Sequence, residues 1–358
     1  MSFFNNGGNP FVIAGPCSAE TREQVLETAA AIAARVQLFR AGVWKPRTRP
    51  GSFEGMGEAA LQWLQEVKQV HGLPVTIEVA EPQHIELALK YGMDILWIGA
   101  RTTVNPFQVQ RLADALKGTN IPVMVKNPVN PDVDLWHGAI ERLEHAGITD
   151  IAAIHRGFSS YNAASPYRNQ PNWPIPIELK RRRPSLPIIC DPSHITGNRE
   201  LVARVAQKAM DMGFCGLMIE THPHPAEAWS DAAQQITPDA LIALIDNLVV
   251  RQLYTTDTGK SLSLENLRQM MDGIDAEIID LIARRMELSE RMGAVKKDCN
   301  MTAYQPERWQ EIVETRGDRA EKLRLSREFI VALYEKIHDE SIKKQLEILQ
   351  ALMNEVKG

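Results

Sequence analysis

Short apolar segments alternate with longer polar segments from residue 11 to about residue 221. Each apolar segment ends in a turn signal and is followed by residues with the apolar spacing of a helix. The apolar segments are FVIAGP at 11, LFRAGVW at 38, VTIEV at 75, DILWIG at 94, PVMVK at 122, IAAIHRG at 151, PIICD at 187 and GLMIE at 216. Strands that are apolar on both faces are typical of a parallel sheet covered by helices. The pattern therefore predicts an α/β fold in which eight strand–helix units close into a (β/α)8 TIM barrel.

A doubly wound open sheet is the alternative fold for such a pattern. That fold places a Gly-rich phosphate turn after its first strand and binds its ligands at one switch point. In this chain no Gly-rich turn of that kind follows the first apolar segment, and residues capable of chemistry follow nearly every strand. The barrel is therefore the favoured interpretation.

The pattern changes near residue 252. The segment RQLYTTDTGKSLS is polar and rich in turn residues, which predicts a linker at 252–263 between a barrel at 1–251 and an all-α domain at 264–358. Beyond the linker, Leu, Ile and Met recur at three- and four-residue spacings, which predicts one long helix followed by two more. The long helix would extend roughly 50 Å, more than a small domain can cover, so a partner helix is implied.

Composition narrows the class of protein. The chain has 358 residues, of which 44% are hydrophobic, so it can bury more than one core. A formal net charge of -5 argues against a nucleic-acid or anionic-membrane partner. The chain start lacks the features of a signal peptide and no apolar run approaches the roughly 20 residues of a membrane span, so a cytoplasmic location is expected. The four cysteines are widely spaced, which predicts reduced thiols.

Six cations follow the predicted strands, where barrel active sites form. They are Arg40, Lys45, Arg47, Arg101, Lys126 and Arg156. Such crowding is unfavourable unless polyanions lie among the cations, and guanidinium groups bind phosphate and carboxylate bidentately. The sequence therefore predicts phosphorylated substrates, more than one of them. Glu78, after the third strand, either pairs with one of these cations or acts directly, and both alternatives stay open.

A second set of residues at the strand ends offers metal ligands. Cys17, His194, Glu220 and Asp231 combine a thiol, an imidazole and two carboxylates, a mixture suited to Mn, Fe, Co or Zn as a divalent ion. Such an ion could polarise a carbonyl group as a Lewis acid. His222 and His224 are alternative ligands, although the prolines around them equally favour a plain loop.

The geometry of the long helix separates its cations. Arg285 and Lys296 are eleven residues apart, close to three turns, and so share a face, whereas Arg268 points about 100° away and lies about 25 Å along the axis. If these cations bind one small ligand, Arg268 must come from a second chain. Ser341 and Gln345, an i, i+4 pair on the last helix, could contact the same ligand. The alternative is a dimerisation bundle whose cations form only its solvated face.

The barrel segment resembles the type I DAHP synthases, the 3-deoxy-D-arabino-heptulosonate 7-phosphate synthases of the shikimate pathway. The resemblance lies in GPCSAE, RAGVWKPRT, IGAR, PVMVK, HRG, DPSH and LMIETHP followed by SDAAQ, in this order. It implies a metal-dependent, aldol-like condensation of phosphoenolpyruvate with erythrose 4-phosphate. It also implies that Cys17, His194, Glu220 and Asp231 bind the metal, with manganese as the first choice. Lys45, Arg101, Lys126 and Arg156 would bind phosphoenolpyruvate, Arg47 and Thr48 would bind the aldose phosphate, and Lys45 is the expected catalytic residue.

The helical segment resembles the all-helical chorismate mutases, dimers that share each active site between two long helices. The resemblance lies in LRQMMDGIDAEIIDLIARRMELSERMGAVK, QPERWQE and IHDESIKKQ. It implies a rearrangement of chorismate to prephenate without a cofactor. Arg268 from the partner subunit, Arg285 and Arg308 would hold the two carboxylates, Lys296 and Gln345 would act catalytically at the ether oxygen, and Ser341 would contact a carboxylate or hydroxyl. Gln305 and Trp309 stand where many members of that family have acidic residues.

The two resemblances together imply a bifunctional enzyme of aromatic biosynthesis. It is expected to form a homodimer through the helical domain, with a tetramer left open. Because the first strand begins near residue 11, no regulatory domain is expected before the barrel, and feedback by chorismate or prephenate would act allosterically through the mutase domain. The alternative is a metal-dependent phosphosugar aldolase with a catalytically silent regulatory or dimerisation tail.

Overall fold

The computed structural model describes residues 3–4, 6–45, 51, 53–160, 165–252 and 254–355. The predicted substrate ligands Arg47 and Thr48 lie outside these described residues. The chain divides into two compact units, Met1–Leu253 and Tyr254–Gly358.

The described residues of the first unit form a closed barrel of eight parallel strands in chain order. The strands are β1 (Phe11–Gly15), β2 (Leu38–Arg40), β3 (Val75–Val79), β4 (Ile95–Ile98), β5 (Val123–Lys126), β6 (Ile151–His155), β7 (Ile188–Cys190) and β8 (Gly216–Glu220). Each strand lies within one of the predicted apolar segments. The prediction of a (β/α)8 barrel is confirmed.

Helices connect the strands and cover the outside of the barrel. They are α1 (Arg22–Ile32), α2 (Glu58–His71), α3 (Pro82–Lys90), α4 (Ala100–Thr103), α5 (Pro106–Leu116), α6 (Val133–His145), α7 (Pro174–Arg182), α8 (Pro192–Thr196), α9 (Val202–Asp211) and α10 (Pro238–Asn247). Side chains cap several helix starts: Thr21 accepts a hydrogen bond from the Gln24 amide, and Asp132 accepts one from the Leu135 amide. These bonds satisfy amide groups that a helix start leaves unpaired.

Alternation along the strands builds two separate apolar cores. The odd-numbered positions of β1 face the barrel interior, where Ile13 packs with Leu38, Trp97, Met124 and Met218. The intervening positions, such as Val12 and Val125, pack against the helices. Because the side-chain period of a strand is two residues, the inward residue at the end of each strand lies at the mouth of the barrel.

The second unit consists of helices in the part of the chain that the structure describes. They are α11 (Thr258–Asp298), α12 (Pro306–Lys322) and α13 (Arg327–Glu355). α11 begins inside the segment predicted as a linker, because the Asp257 side chain accepts a hydrogen bond from the Lys260 amide and caps the helix. Among the described residues, no helix is long and apolar enough to cross a membrane.

Candidate functional site

The mouth of the barrel is lined by the inward residues at the strand ends. β2 ends in Arg40, β5 in Lys126 and β8 in Glu220. Each of these residues comes two positions after a side chain that faces the barrel interior. In the register of β1 and β8, Gly15 lies opposite Glu220, which brings the turn containing Cys17 to the same edge. The parallel order of the strands therefore collects side chains that are far apart in sequence.

Three of the four predicted metal ligands form one cluster. The ligand atoms of Cys17, Glu220 and Asp231 all lie within 4.8 Å of one another, and Cys17 Sγ is 3.3 Å from Asp231 Oδ2. His194, on α8, places its Nε2 atom 3.7 Å from Glu220 Oε1, beside the cluster. The structure thus brings the four residues to one place.

The alternative histidines pair with other carboxylates. His222 Nε2 lies 3.4 Å from Glu20 Oε2, and His224 Nε2 lies 4.0 Å from Glu27 Oε1. Neither histidine belongs to the cluster of Cys17, Glu220 and Asp231 among the described residues.

The electrostatics of the cluster fit a cation. Burial and the Glu220 carboxylate raise the pKa of the Cys17 thiol to about 12, so the thiol is protonated near neutral pH without a further positive charge. Burial opposes ionisation of Asp231, but His194 and Arg168 still lower the pKa of its carboxyl group. A thiol, an imidazole and two carboxylates in one buried place suit a divalent first-row ion, whose charge would favour the thiolate.

Two of the predicted phosphate-binding cations, Lys45 and Arg40, contact this cluster. Lys45 Nζ donates hydrogen bonds to Cys17 O at 2.9 Å and Cys17 Sγ at 2.8 Å. The Arg40 side chain is buried, and its Nη2 atom lies 3.2 Å from Glu220 Oε1. Its Nε and Nη1 atoms are buried with no hydrogen-bond partner among the described residues. Because an unsatisfied buried donor is costly, these two atoms have hydrogen bonds left to donate.

Arg156 is buried in surroundings that carry too little negative charge to balance its own. Burial, together with the charges of Arg168 and Arg101, lowers the pKa of its guanidinium to about 10, although Asp191 opposes the change. Arg101 itself lies on α4, directly after β4, and is exposed. Cations that depress one another's ionisation in this way favour bound polyanions, as the sequence predicts.

The sequence missed Asp191 as a site residue. Its carboxylate is fully buried and accepts a hydrogen bond from Lys126 Nζ at 2.8 Å. It also lies 2.8 Å from His194 Nδ1 and caps α8 by accepting from the His194 amide at 3.0 Å. Asp191 therefore links a substrate cation to a metal-ligand candidate. Strand alternation could have identified it, because it is the inward position directly after β7.

Trp97 lies beside two cations of the mouth and connects them to Glu78. The Trp97 ring lies between two cations, 5.1 Å from the Arg40 guanidinium carbon and 5.7 Å from Lys126 Nζ. Its Nε1 atom donates a hydrogen bond to Glu78 Oε2 at 2.9 Å. Glu78 thus reaches the cations of the mouth through Trp97, which is the arrangement of a supporting residue.

In the helical unit, the predicted ligands converge between α11 and α13. Lys296, Ser341 and Gln345 are buried, and Arg285 Nη1 donates a hydrogen bond to Ser341 Oγ. Lys296 Nζ donates to Ala303 O at 2.5 Å. Gln345 Oε1 is buried without a hydrogen-bond partner among the described residues. The helical unit thus holds a set of buried polar side chains on α11 and α13, one of which keeps hydrogen-bonding capacity unused among the described residues.

Two further predicted arginines of this unit are exposed. Arg308 pairs with Glu311 at 2.5 Å. Burial lowers the pKa of the Arg285 guanidinium, and the positive charges of Arg316 and Arg308 lower it further. Arg268 pairs with Glu265 at 3.6 Å and lies seventeen residues before Arg285 on the same helix. It is therefore about 25 Å from Arg285 along the axis.

Trp309 takes part in an aromatic contact. The Trp309 ring lies 4.4 Å from the His338 ring, and Tyr304 meets the same histidine edge-on at 6.0 Å. Gln305 precedes α12 and makes no side-chain cap with it.

Comparisons with known proteins divide the chain as its structure does. The model of the DAHP synthetase I family matches residues 3–253, and the model of chorismate mutase type II matches residues 267–346. The chain is 33% identical to a phospho-2-dehydro-3-deoxyheptonate aldolase of Thermotoga maritima over 238 residues, which cover 66% of this chain and 68% of the relative. It is 28% identical to a 2-dehydro-3-deoxyphosphooctonate aldolase of Caulobacter vibrioides, over 68% of this chain and 88% of the relative.

Solved structures give the same picture for the barrel. The crystal structure of phospho-2-dehydro-3-deoxyheptonate aldolase (DAHP synthase) from Thermotoga maritima matches with a TM-score of 0.61 and 31% sequence identity, covering 68% of this chain and 69% of the other. A truncated form of the Thermotoga maritima synthase matches with a TM-score of 0.59 and 28% identity, over 68% of this chain and 86% of the other.

Proposed function

The chain belongs to the DAHP synthetase I family, and on that premise we propose how its two units carry out two steps of the shikimate pathway. It is an enzyme with two activities, a DAHP synthase (a transferase) in the barrel and a chorismate mutase (an isomerase) in the helical unit. The family implies phosphoenolpyruvate, erythrose 4-phosphate and chorismate as substrates.

The barrel chemistry is supported by one observation above the others, the unpaired buried guanidinium atoms of Arg40 beside the Cys17 cluster. Lys45, Arg101, Lys126 and Arg156, with Arg40 beside them, would hold the phosphate and carboxylate of phosphoenolpyruvate. The methylene carbon of that substrate would then attack the aldehyde carbon of erythrose 4-phosphate, and the aldehyde oxygen would take up a proton. Water would add to the carbon that carries the phosphate ester, and inorganic phosphate would leave from that carbon to give the keto group of the product. Lys45 lies 2.8 Å from Cys17 Sγ, where it can donate a proton to the oxygen that gains charge.

The metal dependence is part of the proposal. Cys17, His194, Glu220 and Asp231 would hold a divalent ion, with manganese as the first choice. When bound, such an ion withdraws electrons from the aldehyde carbonyl as a Lewis acid. The test is the rate of phosphoenolpyruvate loss in metal-free protein before and after Mn²⁺ is added. Equal rates in the two conditions would overturn the metal dependence.

The length of the aldose distinguishes the two kinds of relative. Phosphoenolpyruvate supplies three carbons, so a heptonate product needs a four-carbon aldose phosphate and an octonate product needs a five-carbon one. We assign the four-carbon substrate, because the family model and the relative with the higher identity both concern heptonate synthesis. Phosphoenolpyruvate loss with a five-carbon aldose phosphate, and none with erythrose 4-phosphate, would reverse this assignment.

The mutase chemistry needs positioning and no cofactor. Arg285 and Arg308 would hold the carboxylates of chorismate in a compact conformer, and Lys296 and Gln345 would donate hydrogen bonds to the ether oxygen as it gains negative charge. The donor of Gln345 would be its Nε2 atom. Its Oε1 atom is buried without a hydrogen-bond partner among the described residues and could accept from a hydroxyl group of the same ligand. Full-length protein should convert chorismate to prephenate. Absence of turnover would favour the alternative, a phosphosugar aldolase with a silent tail.

The helical unit is proposed to form a homodimer. Its α11 carries apolar side chains at alternating spacings of four and three residues, each between 47% and 63% exposed. They are Leu267, Met271, Ile274, Ile278, Leu281, Leu288, Met292 and Val295. That is the pattern of a two-helix seam, and Arg285 lies on it. A second copy packed along this seam would cover the apolar stripe. Each subunit would then supply its Arg268 to the site of the other subunit, because Arg268 is too far from Arg285 of the same chain. A monomer in sedimentation experiments at assay concentration would overturn this proposal.

Feedback regulation completes the proposal. Prephenate or chorismate, bound in the helical unit, would shift the barrel between states of different activity, which requires different affinities for the two states. The test follows phosphoenolpyruvate loss as prephenate is added, in wild type and in Arg285→Ala. Inhibition that is lost in the variant supports sensing through the mutase pocket, whereas inhibition equal in both proteins contradicts it. A cytoplasmic location also remains part of the proposal.

A further inference from the structure

Two adjacent residues outside the predicted site contact three of its members directly. Arg168 and Asn169, called here the tether, lie between β6 and α7. Arg168 Nη1 donates hydrogen bonds to Asp231 Oδ1 and to Gln234 Oε1, both at 2.9 Å. Gln234 Nε2 in turn donates to Glu220 Oε2 at 2.6 Å. One guanidinium thus reaches two carboxylates of the cluster, Asp231 directly and Glu220 through Gln234.

Asn169 serves the other half of the mouth. It is buried, and its Nδ2 atom donates a hydrogen bond to the carbonyl oxygen of His194 at 2.6 Å. Its Oδ1 atom accepts a hydrogen bond from Arg156 Nη1 at 2.8 Å. The side chain therefore uses both ends of its amide, one on a metal-ligand candidate and one on a substrate cation.

The backbone of the tether is anchored on both sides. The Arg168 and Asn169 amides donate to Thr196 O at 3.2 Å and Ile195 O at 3.1 Å, at the end of the helix that carries His194. The next residue, Gln170, exchanges two hydrogen bonds of 2.8 Å with Phe158. These bonds fix the tether against α8 and the segment after β6.

Two glycines leave the space that the tether fills. A Cβ on Gly157 would lie 2.8 Å from Asn169 O, and one on Gly197 would lie 2.5 Å from Arg168 Cβ. Both glycines have positive φ, 77° and 62°, which a side chain would also disfavour. The close approach of the tether to α8 and to the end of β6 therefore depends on both residues.

Asp231 needs such support more than the other ligands do. It is a non-glycine residue with φ 47°, in the sparsely populated left-handed region, and it lies in a loop after β8. Its carboxylate direction is therefore held by contacts and not by regular secondary structure. Arg168, from the segment between β6 and α7, supplies an ion pair to it.

We propose that Arg168 and Asn169 are positioning residues that orient Asp231, Glu220, His194 and Arg156 as one unit, so that metal binding and phosphoenolpyruvate binding are coupled through the tether. This inference rests on the metal centre proposed above. Outer contacts to metal ligands typically change metal affinity by 10–100-fold when they are removed.

The test is direct Mn²⁺ binding to the metal-free full-length chain, measured from the electron paramagnetic resonance signal of free Mn²⁺. Arg168→Ala should weaken Mn²⁺ binding about 10–100-fold. Arg168→Lys, which keeps a charge but loses the planar fork, should lose less. The matched control is Arg22→Ala, because the Arg22 side chain is 49% exposed and pairs with Glu66, while that of Arg168 is 48% exposed and pairs with Asp231. Arg22→Ala should bind Mn²⁺ as wild type does.

Asn169 contacts both a metal-ligand candidate and a substrate cation. Asn169→Ala removes both contacts, so Mn²⁺ binding should weaken and the KM for phosphoenolpyruvate should rise. Asn169→Asp loses the donor to the His194 carbonyl and places a carboxylate beside Arg156, so Mn²⁺ binding should weaken and the KM for phosphoenolpyruvate should rise further. Chorismate turnover by the helical unit of the same chain should stay unchanged and shows that each variant is intact outside the barrel.

The outcomes are distinguishable. If Arg168→Ala binds Mn²⁺ as tightly as wild type while Cys17→Ala loses binding, the metal centre stands and the tether is refuted. If Cys17→Ala also binds as wild type does, the proposed metal centre itself is wrong. A substitution that merely reduces the fraction of folded protein would lower the apparent kcat and leave the Kd for Mn²⁺ unchanged. That result would also overturn the positioning role.

Discussion

Replacing Asp191 with asparagine removes one buried charge from the barrel mouth and conserves the shape of the side chain. Asp191 is fully buried and Lys126 is 4% exposed. Asparagine can still cap α8, since it is a good N-cap residue, but it leaves the Lys126 ammonium without its carboxylate. Breaking a buried ion pair by removing one partner costs about 3–5 kcal/mol. We expect the free energy of unfolding of the barrel to fall by about that amount.

The pH dependence follows from the direction of the pKa shift. Burial opposes ionisation, yet His194 and Lys126 hold the pKa of the Asp191 carboxyl well below its usual range. A lowered pKa in the folded state stabilises the protein above the unfolded pKa of about 4, and this contribution is lost as the pH falls below that value. The difference between wild type and Asp191→Asn should thus be constant near neutral pH and shrink under acid conditions.

The assay is urea-induced unfolding followed by tryptophan fluorescence, which reports chiefly the barrel because only Trp309 lies beyond it. Asp94→Asn is the matched control. Asp94 also accepts from one lysine, Lys68, at 2.8 Å and one backbone amide, that of Val75, at 2.9 Å, but its side chain is 30% exposed. Exposed pairs contribute about 1 kcal/mol or less, so Asp94→Asn should change little. Equal unfolding midpoints for the two variants would refute the reasoning.

Three further predictions concern other parts of the molecule. Cys17→Ala should lose bound metal and synthase activity but keep chorismate turnover, and retention of both metal and synthase activity would contradict the ligand assignment. Lys296→Ala should lower the kcat for chorismate about 10²–10³-fold with phosphoenolpyruvate loss unchanged, as expected for a donor to a developing negative charge; a normal kcat would exclude that role. Burial and Arg156 lower the pKa of His155 to about 3, so wild type should lose stability as the pH falls from 6.5 towards 3, relative to His155→Phe. Parallel pH profiles of unfolding for these two proteins would show that His155 is not the cause.

The periodicity of the sequence was sufficient for the fold. All eight strands lie where apolar segments predict them, because a strand buried on both faces needs a continuous apolar run. The same kind of pattern predicted the long helix, because its apolar residues recur every three or four positions, whereas those of a strand alternate every two. Local signals were weaker at the ends of elements: the Asp257 cap starts α11 within the predicted linker.

The site was predictable in its components but not in its connections. Cys17 and Glu220 could be named from their positions after strands, because barrel closure brings strand ends together, whereas Asp231 lies in the loop beyond β8 and its ligand role was implied by the family resemblance. Asp191 was not among the predicted site residues, although strand alternation alone places it at the mouth.

The tether could not have been foreseen from the sequence. Arg168 and Asn169 lie in an irregular segment with no period, and their partners Asp231 and His194 are 63 and 25 residues away. The sequence determined which elements form and which residue types reach the barrel mouth, because periodicity and strand order are local or topological properties. Only the tertiary structure decided which donor meets which acceptor, because a hydrogen bond depends on atomic positions set by the packing of several elements at once.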